Sequence, residues 1–434
     1  MKNPQKTPPS ILVLTYYWPP SGGSGVQRWV YFCKYLQQFG WDVSVVTVDP
    51  KYASYPVIDL SLCKYISSVE SHKTKSFEAL TLYRLLHFRK KRRLPQGEIN
   101  TKGLFNKVLA FIRGNFFIPD ARRGWNSYAL KKAHQILKKK SIQYLVTTGP
   151  PHSTHLVGIK LVDRYKLKWL ADFRDPWTDL FYNQQLYRLP WVKKRDAQLE
   201  RKVLNKADGI LTTIEGNLHK NLSNRISKNQ RFFSVPNGFD HELIEQICPN
   251  KSLKFHIAYT GVLTNNHSFM CIIEVLEILQ SRYPNQFVLS LAGNIRPSII
   301  SIISKRLKHI TVRDLGYISH SKSIELIKSA HLLLAFSFRR HRNEMISGKL
   351  LEYLASGTPM IVIDNPDSPA GRIVVQSTVS LICMDNDYNK IHDFIQRLID
   401  SWIAKRSLSN QFNNISEYSR KRLTKDLEKV LYNL

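Results

Sequence analysis

Two consecutive open α/β sheets, each parallel and covered by helices on both faces, are the fold class this sequence predicts. Short apolar runs of strand length alternate with stretches of helical spacing along the chain, and several of the runs end in glycine- or proline-rich turns. With 434 residues the chain is long for one domain, so two Rossmann-like, doubly wound domains of roughly 200 residues each are expected. At 43% apolar residues there is enough material for two cores.

The first unit opens with an apolar strand at Ile11–Leu14. Apolar residues then recur every three or four positions (Val26, Val30, Phe32, Leu36, Phe39), and a second strand follows at Val43–Val48. The turn between strand and helix contains Gly22, Gly23 and Gly25, which lets a ligand approach backbone amides at a helix N-terminus. It is not a dinucleotide fingerprint, because the third glycine is replaced by Arg28, and no Lys-Ser/Thr follows to make a phosphate loop. Tyr144–Thr148 reads as a strand that breaks at Gly149-Pro150-Pro151, and a helix begins near His152. That places His152 just beyond a strand's carboxyl end, where open parallel sheets bind ligands. The strand at Trp169–Ala171 delivers Asp172, Arg174 and Asp175 to a similar position, as an ion-paired loop lock or as partners for hydroxyl groups. A helix at Val192–Leu204 and a strand at Gly209–Thr213 complete the sheet. The turn Pro236-Asn237-Gly238 marks the boundary between domain 1–236 and domain 237–410.

In the second unit, strands are expected at Phe255–Tyr259, ending in a glycine turn at Gly261, and at Phe287–Leu291, Thr311–Val312, Leu332–Phe336 and Met360–Ile363. Helices are expected around Ser268–Leu279, Ser319–Ser329 and Lys349–Ala355. The tail reads as helices at Ile391–Ile403 and Asn414–Tyr432, with 411–434 as a closing segment. The most informative stretch is His341–Ile363. A helix capped near Ser347 presents the amides of Gly348 and Leu350, its positive dipole end and Lys349 to an anion, most simply a phosphate. Glu344 lies in the loop before it and Glu352 inside it.

The formal charge is +31, and sixteen Lys and Arg against two acids between Arg84 and Lys140 contribute +14 of it. Within that segment Leu80–Leu94 mixes leucine and aromatic residues with the block Arg89, Lys90, Lys91, Arg92 and Arg93, as an interfacial amphipathic helix does, so an anionic membrane surface is the expected partner. No recognition helix or aromatic RNA signature accompanies the charge, which argues against nucleic acid. No apolar run of about 20 residues occurs, and the polar start MKNPQKTPPS lacks a signal peptide's apolar core, so a cytoplasmic protein is expected. Five singly scattered cysteines fit reduced thiols and exclude a cysteine zinc site. His152-x-x-His155 lacks a third metal ligand, and Asp385-Asn386-Asp387 reads as an ordinary polar turn.

The order of YYWPPSGGSGVQR, TTGPPHSTHLVG, ADFRDPW, VPNGFD, YTGVL, LAGN, LGYISH and the Glu344-x7-Glu352 stretch resembles glycosyltransferase family 4, retaining enzymes of GT-B architecture, in particular members that build bacterial surface polysaccharides. The resemblance implies two Rossmann-like domains facing across a cleft, with the acceptor on the first, a nucleotide sugar on the second and a C-terminal helix crossing back. It implies that Glu352 binds ribose, Glu344 lies at the sugar ring, Ser347, Gly348, Leu350 and Lys349 hold the diphosphate, and Gly261, Gly22 and Gly23 border the donor. His152 would sit beside the transferred sugar, leaving Asp172, Arg174, Asp175 and Asn237 as candidates for contact with acceptor or sugar. The catalytic candidates are thus Glu344, His152 and Lys349, with no metal and no cofactor beyond the donor itself.

One departure is visible. Family members often carry an Arg and a Lys after the glycine that opens the second domain, whereas Gly261-Val262-Leu263-Thr264-Asn265-Asn266-His267 has neither. Phosphate neutralisation then falls to Lys349, to Arg339, Arg340 or Arg342, or to amides. A helix N-terminus with a cation stabilises a departing diphosphate without metal. No pair of carboxylates suited to double displacement is assignable, so departure and attack on one face is expected. The function expected is transfer of a sugar to a lipid-linked or cell-surface glycan at a membrane's cytoplasmic face. The alternatives are a nucleotide-sugar epimerase of similar fold and a non-catalytic basic protein binding membrane or nucleic acid.

Overall fold

The computed structural model describes residues 8–55, 57–77, 103–179, 186–215, 217–226, 230–337, 348–406 and 408–434. The chain divides into two compact units, Met1–Pro236 with Leu423–Leu434, and Asn237–Arg422.

Unit 1 holds a parallel sheet of β1 (Ser10–Leu14), β2 (Asp42–Val48), β3 (Glu70–Thr74), β4 (Tyr144–Gly149), β5 (Lys168–Phe173), β6 (Gly209–Thr212) and β7 (Arg231–Ser234), in the order β3-β2-β1-β4-β5-β6-β7. Its helices are α1 (Ser24–Gln38), α2 (Leu104–Phe116), α3 (Asn126–Leu137), α4 (Ser153–Val162), α5 (Pro190–Lys206) and α6 (Asn217–Ser223). Every residue of β1 and β4 is buried, as a parallel sheet covered on both faces requires. The strand order reverses between these two strands, so the turns that leave Leu14 and Gly149 flank the switch point. That is how the glycine-rich turn and His152 come to the same end of the sheet.

Unit 2 repeats the plan with α7 (His241–Gln246), β8 (Phe255–Leu263), α8 (Met270–Arg282), β9 (Phe287–Ile295), α9 (Pro297–Arg306), β10 (Ile310–Gly316), α10 (His320–Ser329), β11 (Leu332–Phe336), α11 (Gly348–Ser356), β12 (Met360–Ile363), α12 (Pro369–Val374), β13 (Ser380–Cys383) and α13 (Tyr388–Ile403). The order is β10-β9-β8-β11-β12-β13, again all parallel, with the reversal between β8 and β11. Gly261 on β8 and helix α11, the first helix described after β11, belong to that switch point.

Two expectations need correction. Gly261 does not end its strand: β8 runs on to Leu263, pairing Gly261 with Gly293 and Leu263 with Ile295. Both glycines have positive φ (+123° and +120°), and a Cβ on Gly293 would stand 2.1 Å from the Gly261 carbonyl oxygen, so two bare backbones carry the kink. Within the basic segment, residues 104–140 are mostly two helices, α2 and α3, which charge alone does not delimit; Leu80–Leu94 lies outside the described residues. The tail is a 3₁₀ turn at Ile415–Tyr418 followed by α14 (Arg420–Tyr432), because Asn414 is left-handed and Ser419 extended. The last residues of α14, from Leu423, count with unit 1. There Leu423, Leu427 and Leu431, spaced four apart on one helix face, join Val26, Val30 and Leu36 of α1 in one core.

Candidate functional site

At the carboxyl end of the unit 1 sheet the charged loop is organised around a pair that pattern reading missed. Arg28, one turn into α1, and Asp172, at the end of β5, are both buried. Arg28 Nε and Nη2 donate to the Asp172 carboxylate at 3.3 and 3.2 Å. Trp29 Nε1 and Thr148 Oγ1 also donate to Asp172, at 2.6 and 2.8 Å, and Arg28 Nη1 donates to the Val235 carbonyl at 2.7 Å. Asp172 therefore ties α1 and β4 to β5, with its oxygens consumed. The expected bracketing of Arg174 by two carboxylates is not what forms. Arg174 pairs loosely with Asp175 (3.7 Å) and donates to the Gly25 carbonyl at 2.6 Å, while Asp172 goes to Arg28. A Cβ on Gly25 would stand 2.7 Å from the Arg174 guanidinium carbon, so the glycine-rich turn is shaped by a cation of its own unit. Burial pushes the Asp175 carboxyl up, against the pull of Arg174. Gly22 donates its amide to the Val57 carbonyl at 2.9 Å, and Gly23, at φ +102°, is the helix N-cap.

His152 is buried and stacks on Trp177, with ring centroids 5.2 Å apart. Its Nε2 lies 3.1 Å from the Pro176 carbonyl, which can only accept, so Nε2 carries the proton and Nδ1 presents a lone pair. Burial, and then the neighbouring His155, hold its pKa well below the usual value, so the ring is neutral. His155 is equally buried, pushed down to about 3, and stacks on Phe173 while Nδ1 meets Thr147 Oγ1 at 2.8 Å. His152 Nδ1 and His155 Nε2 have no hydrogen-bond partner among the described residues, and both face Gly149. The first turn of α4 is satisfied by Asp120, which accepts from Ser153 N at 2.8 Å and Ser153 Oγ at 2.9 Å.

In unit 2, α11 positions the other half of the predicted set. Glu352 is buried, and its Oε1 receives His320 Nε2 at 2.8 Å and Arg420 Nη2 at 3.3 Å. Burial opposes its charge, but His320 and Arg420 outweigh that and hold the carboxyl below its ordinary range. No described residue reaches Oε2 with a hydrogen bond. Three residues earlier, near the start of the helix, Lys349 is partly buried. Its Nζ lies 4.0 Å from the Tyr259 ring centroid and 3.4 Å from where a Cβ of Gly261 would be. Burial lowers its pKa to about 7. The cation missing from the sequence after Gly261 is thus supplied against Gly261 by α11. His267, pushed down to about 4 by burial and then by Lys349, is a neutral neighbour whose Nδ1 accepts from Thr264 N at 3.1 Å. Leu350 is a core residue, so only its backbone can serve a ligand. Asn237 opens unit 2, three residues before Asp240, the cap of α7.

Glu344, Ser347, Arg339, Arg340, Arg342 and Arg89, Lys90, Lys91, Arg92 and Arg93 lie outside the described residues. Asp387 serves its own turn, accepting from the Met384 amide at 3.0 Å, while Asp385 accepts from Ser268 Oγ, ahead of α8, at 2.7 Å.

Comparison with known proteins agrees with this layout. Residues 254–401 match the family model described as glycosyl transferases group 1. A search among curated proteins finds no match. Among solved structures, a glycosyltransferase from Rickettsia africae is similar at TM-score 0.61 and 13% identity, covering 99% of both chains. Anabaena HepE in complex with UDP-glucose follows at 0.60 and 12%, covering 98% of this chain and 100% of that one. WaaG, a glycosyltransferase involved in lipopolysaccharide biosynthesis, is similar at 0.55 and 11%, covering 97% and 99%. The fold is the two-domain Rossmann-like GT-B fold; most of unit 2 matches the group 1 glycosyl transferase model, and the enzyme is a glycosyltransferase.

Proposed function

We propose that the chain moves a sugar from a nucleoside-diphosphate sugar to a lipid-linked or cell-surface polysaccharide acceptor, with retention of configuration and without a metal, as a family 4 enzyme on the cytoplasmic face of a membrane. The observation that carries this is Lys349 Nζ set between the Tyr259 ring and Gly261, near the start of α11 and within the matched domain. A half-charged ammonium beside a bare strand backbone and a helix N-terminus is built to receive a diphosphate, and it stabilises that group most as the sugar departs and negative charge develops. Glu352, its Oε1 occupied, offers Oε2 to the ribose hydroxyls. Neutral His152, with Nδ1 unprotonated, offers an acceptor to a sugar hydroxyl. Glu344 is assigned to the sugar ring on the strength of the motif. The HepE complex with UDP-glucose supports a nucleotide-sugar donor, and WaaG supports a surface-glycan acceptor. No described helix is long and apolar enough to span a bilayer, so attachment to the membrane would be peripheral.

A thermal-shift panel of nucleoside-diphosphate sugars tests the donor, since a ligand bound to the native state raises the melting temperature. One sugar nucleotide raising it in wild type, and failing to do so in Lys349→Ala, is expected; a panel without any response rejects the reading. Turnover in EDTA should persist, and activity lost there and restored by magnesium would reject metal independence.

A further inference from the structure

Among the described side chains of helix α2 the buried ones are small or polar, and the exposed ones include four large apolar residues. The helix turns Ala110, Gly114 and Asn115 towards the protein and leaves Val108, Phe111, Ile112 and Phe116 exposed, Phe116 at 73%. On a helical projection those four span an arc of about 140° that also holds the buried Asn115 between Phe111 and Val108, with the exposed Lys107 on one border and Arg113 on the other. The small buried face is explained by what lies on it. Asn115 Nδ2 donates to the Tyr187 carbonyl at 3.2 Å, Asn115 Oδ1 accepts from the Leu189 amide at 2.8 Å, and a Cβ on Gly114 would stand 2.4 Å from the Leu186 carbonyl oxygen. The segment laid across α2 therefore adds its own exposed Tyr187, Leu189 and Trp191, the last at 62%. Seven large apolar side chains, four of them aromatic, form one neighbourhood in water, which a soluble surface normally avoids.

Charge identifies the occupant. Neither Leu104–Phe116 nor Leu186–Arg195 contains an acidic residue, and Lys193, Lys194 and Arg195 are exposed on the first turn and a half of α5 beside Trp191. A nucleic acid would have no use for the apolar arc, whereas aromatic and aliphatic tips bordered by cations match the headgroup and acyl boundary of an anionic bilayer. We propose that α2 and residues 187–195 form a membrane-docking surface for anionic phospholipid, with Phe111, Phe116 and Trp191 entering the interface and Lys107, Arg113, Lys193 and Lys194 at the headgroups. The proposal rests on the membrane-peripheral part of the reading above and names the surface responsible.

The test is sedimentation of the full chain with phosphatidylglycerol–phosphatidylethanolamine vesicles and with phosphatidylcholine vesicles, together with amide exchange in both. Expected are pelleting with the anionic vesicles, slowed exchange in α2 and at 187–195, and a loss of at least about tenfold in vesicle partition for Phe116→Ser with Trp191→Ser. These side chains are exposed, so the melting temperature should hold; were the variant unstable, wild-type exchange alone decides. Undiminished pelleting in the variant, without protection of α2, overturns this surface and leaves the membrane reading to the Arg89–Arg93 block, whose neutralisation would then abolish binding. No pelleting of wild type removes both. Protection of α2 in a concentration-dependent dimer without lipid also overturns the proposal, assigning the patch to a second copy.

Discussion

Lys349 Nζ stands 4.0 Å from the centroid of the Tyr259 ring and is lowered to a pKa of about 7 by burial. Its unfolded value is about 10.4. Between those values the unfolded chain binds more protons, so this group's contribution makes stability rise with pH from about 7 to about 10.4, and below about 7 the buried charge costs its full amount. Lys349→Met is expected to raise the melting temperature at pH 6 and to leave it unchanged near pH 10.5. The same variant should bind donor at least about tenfold more weakly at pH 6.5 by calorimetry, since a charge-assisted contact to the diphosphate is lost. Wild-type donor affinity should fall as pH rises above 7, because Lys349 must take up a proton from solvent to pair with the anion.

Glu352 is held ionised by His320 and Arg420, and that pairing gives it a structural duty besides the proposed ribose contact. Glu352→Ala alone is expected to cost about 3–5 kcal/mol of stability, since the buried Arg420 and His320 both lose the Glu352 carboxylate. Adding Arg420→Met should recover much of that in chemical denaturation. Donor affinity should stay low in the double variant; its recovery there would remove Glu352 from the ribose.

The Arg28–Asp172 pair predicts a fold defect. Asp172→Ala removes the carboxylate that faces the buried Arg28 and strands the Trp29 and Thr148 donors, so a loss of about 3–5 kcal/mol is expected in urea unfolding. Asp175→Asn, whose side chain is a third exposed, should change stability little.

Gly149 faces two histidine nitrogens that have no hydrogen-bond partner among the described residues. A Cβ there would lie 2.6 Å from His152 Nδ1 and 2.8 Å from His155 Nε2. Gly149→Ala should cost about 1–3 kcal/mol through overpacking, and should shift the imidazole resonances of both rings in NMR spectra.

Much of this was open to pattern reading, and the reasons for the rest are specific. The alternation of apolar strands and amphipathic helices is a local signal, and so were the strand ends that bring Gly22, His152 and Lys349 to the switch points. Partner choice is not local. Asp172 sits two residues from Arg174 in sequence, yet it bonds Arg28, 144 positions away, and Arg420 reaches Glu352 across 68. Gly261 was read as a terminator because a lone glycine after an apolar run commonly is one. Only its pairing with Gly293 shows two strands continuing through a shared kink. Helix α2 was hidden by its own charge, since Lys107 and Arg113 merge into a basic stretch when read by composition.

The division of α14 at Leu423 has a consequence for biosynthesis. Residues 423–434 complete the hydrophobic cluster of α1, yet they leave the ribosome after all of Asn237–Arg422. Domains usually fold in the order in which they are translated. Here the unit made first waits, three leucines short, until the unit made second has emerged, so a nascent chain arrested anywhere before residue 423 presents the α1 face of its first sheet to chaperones.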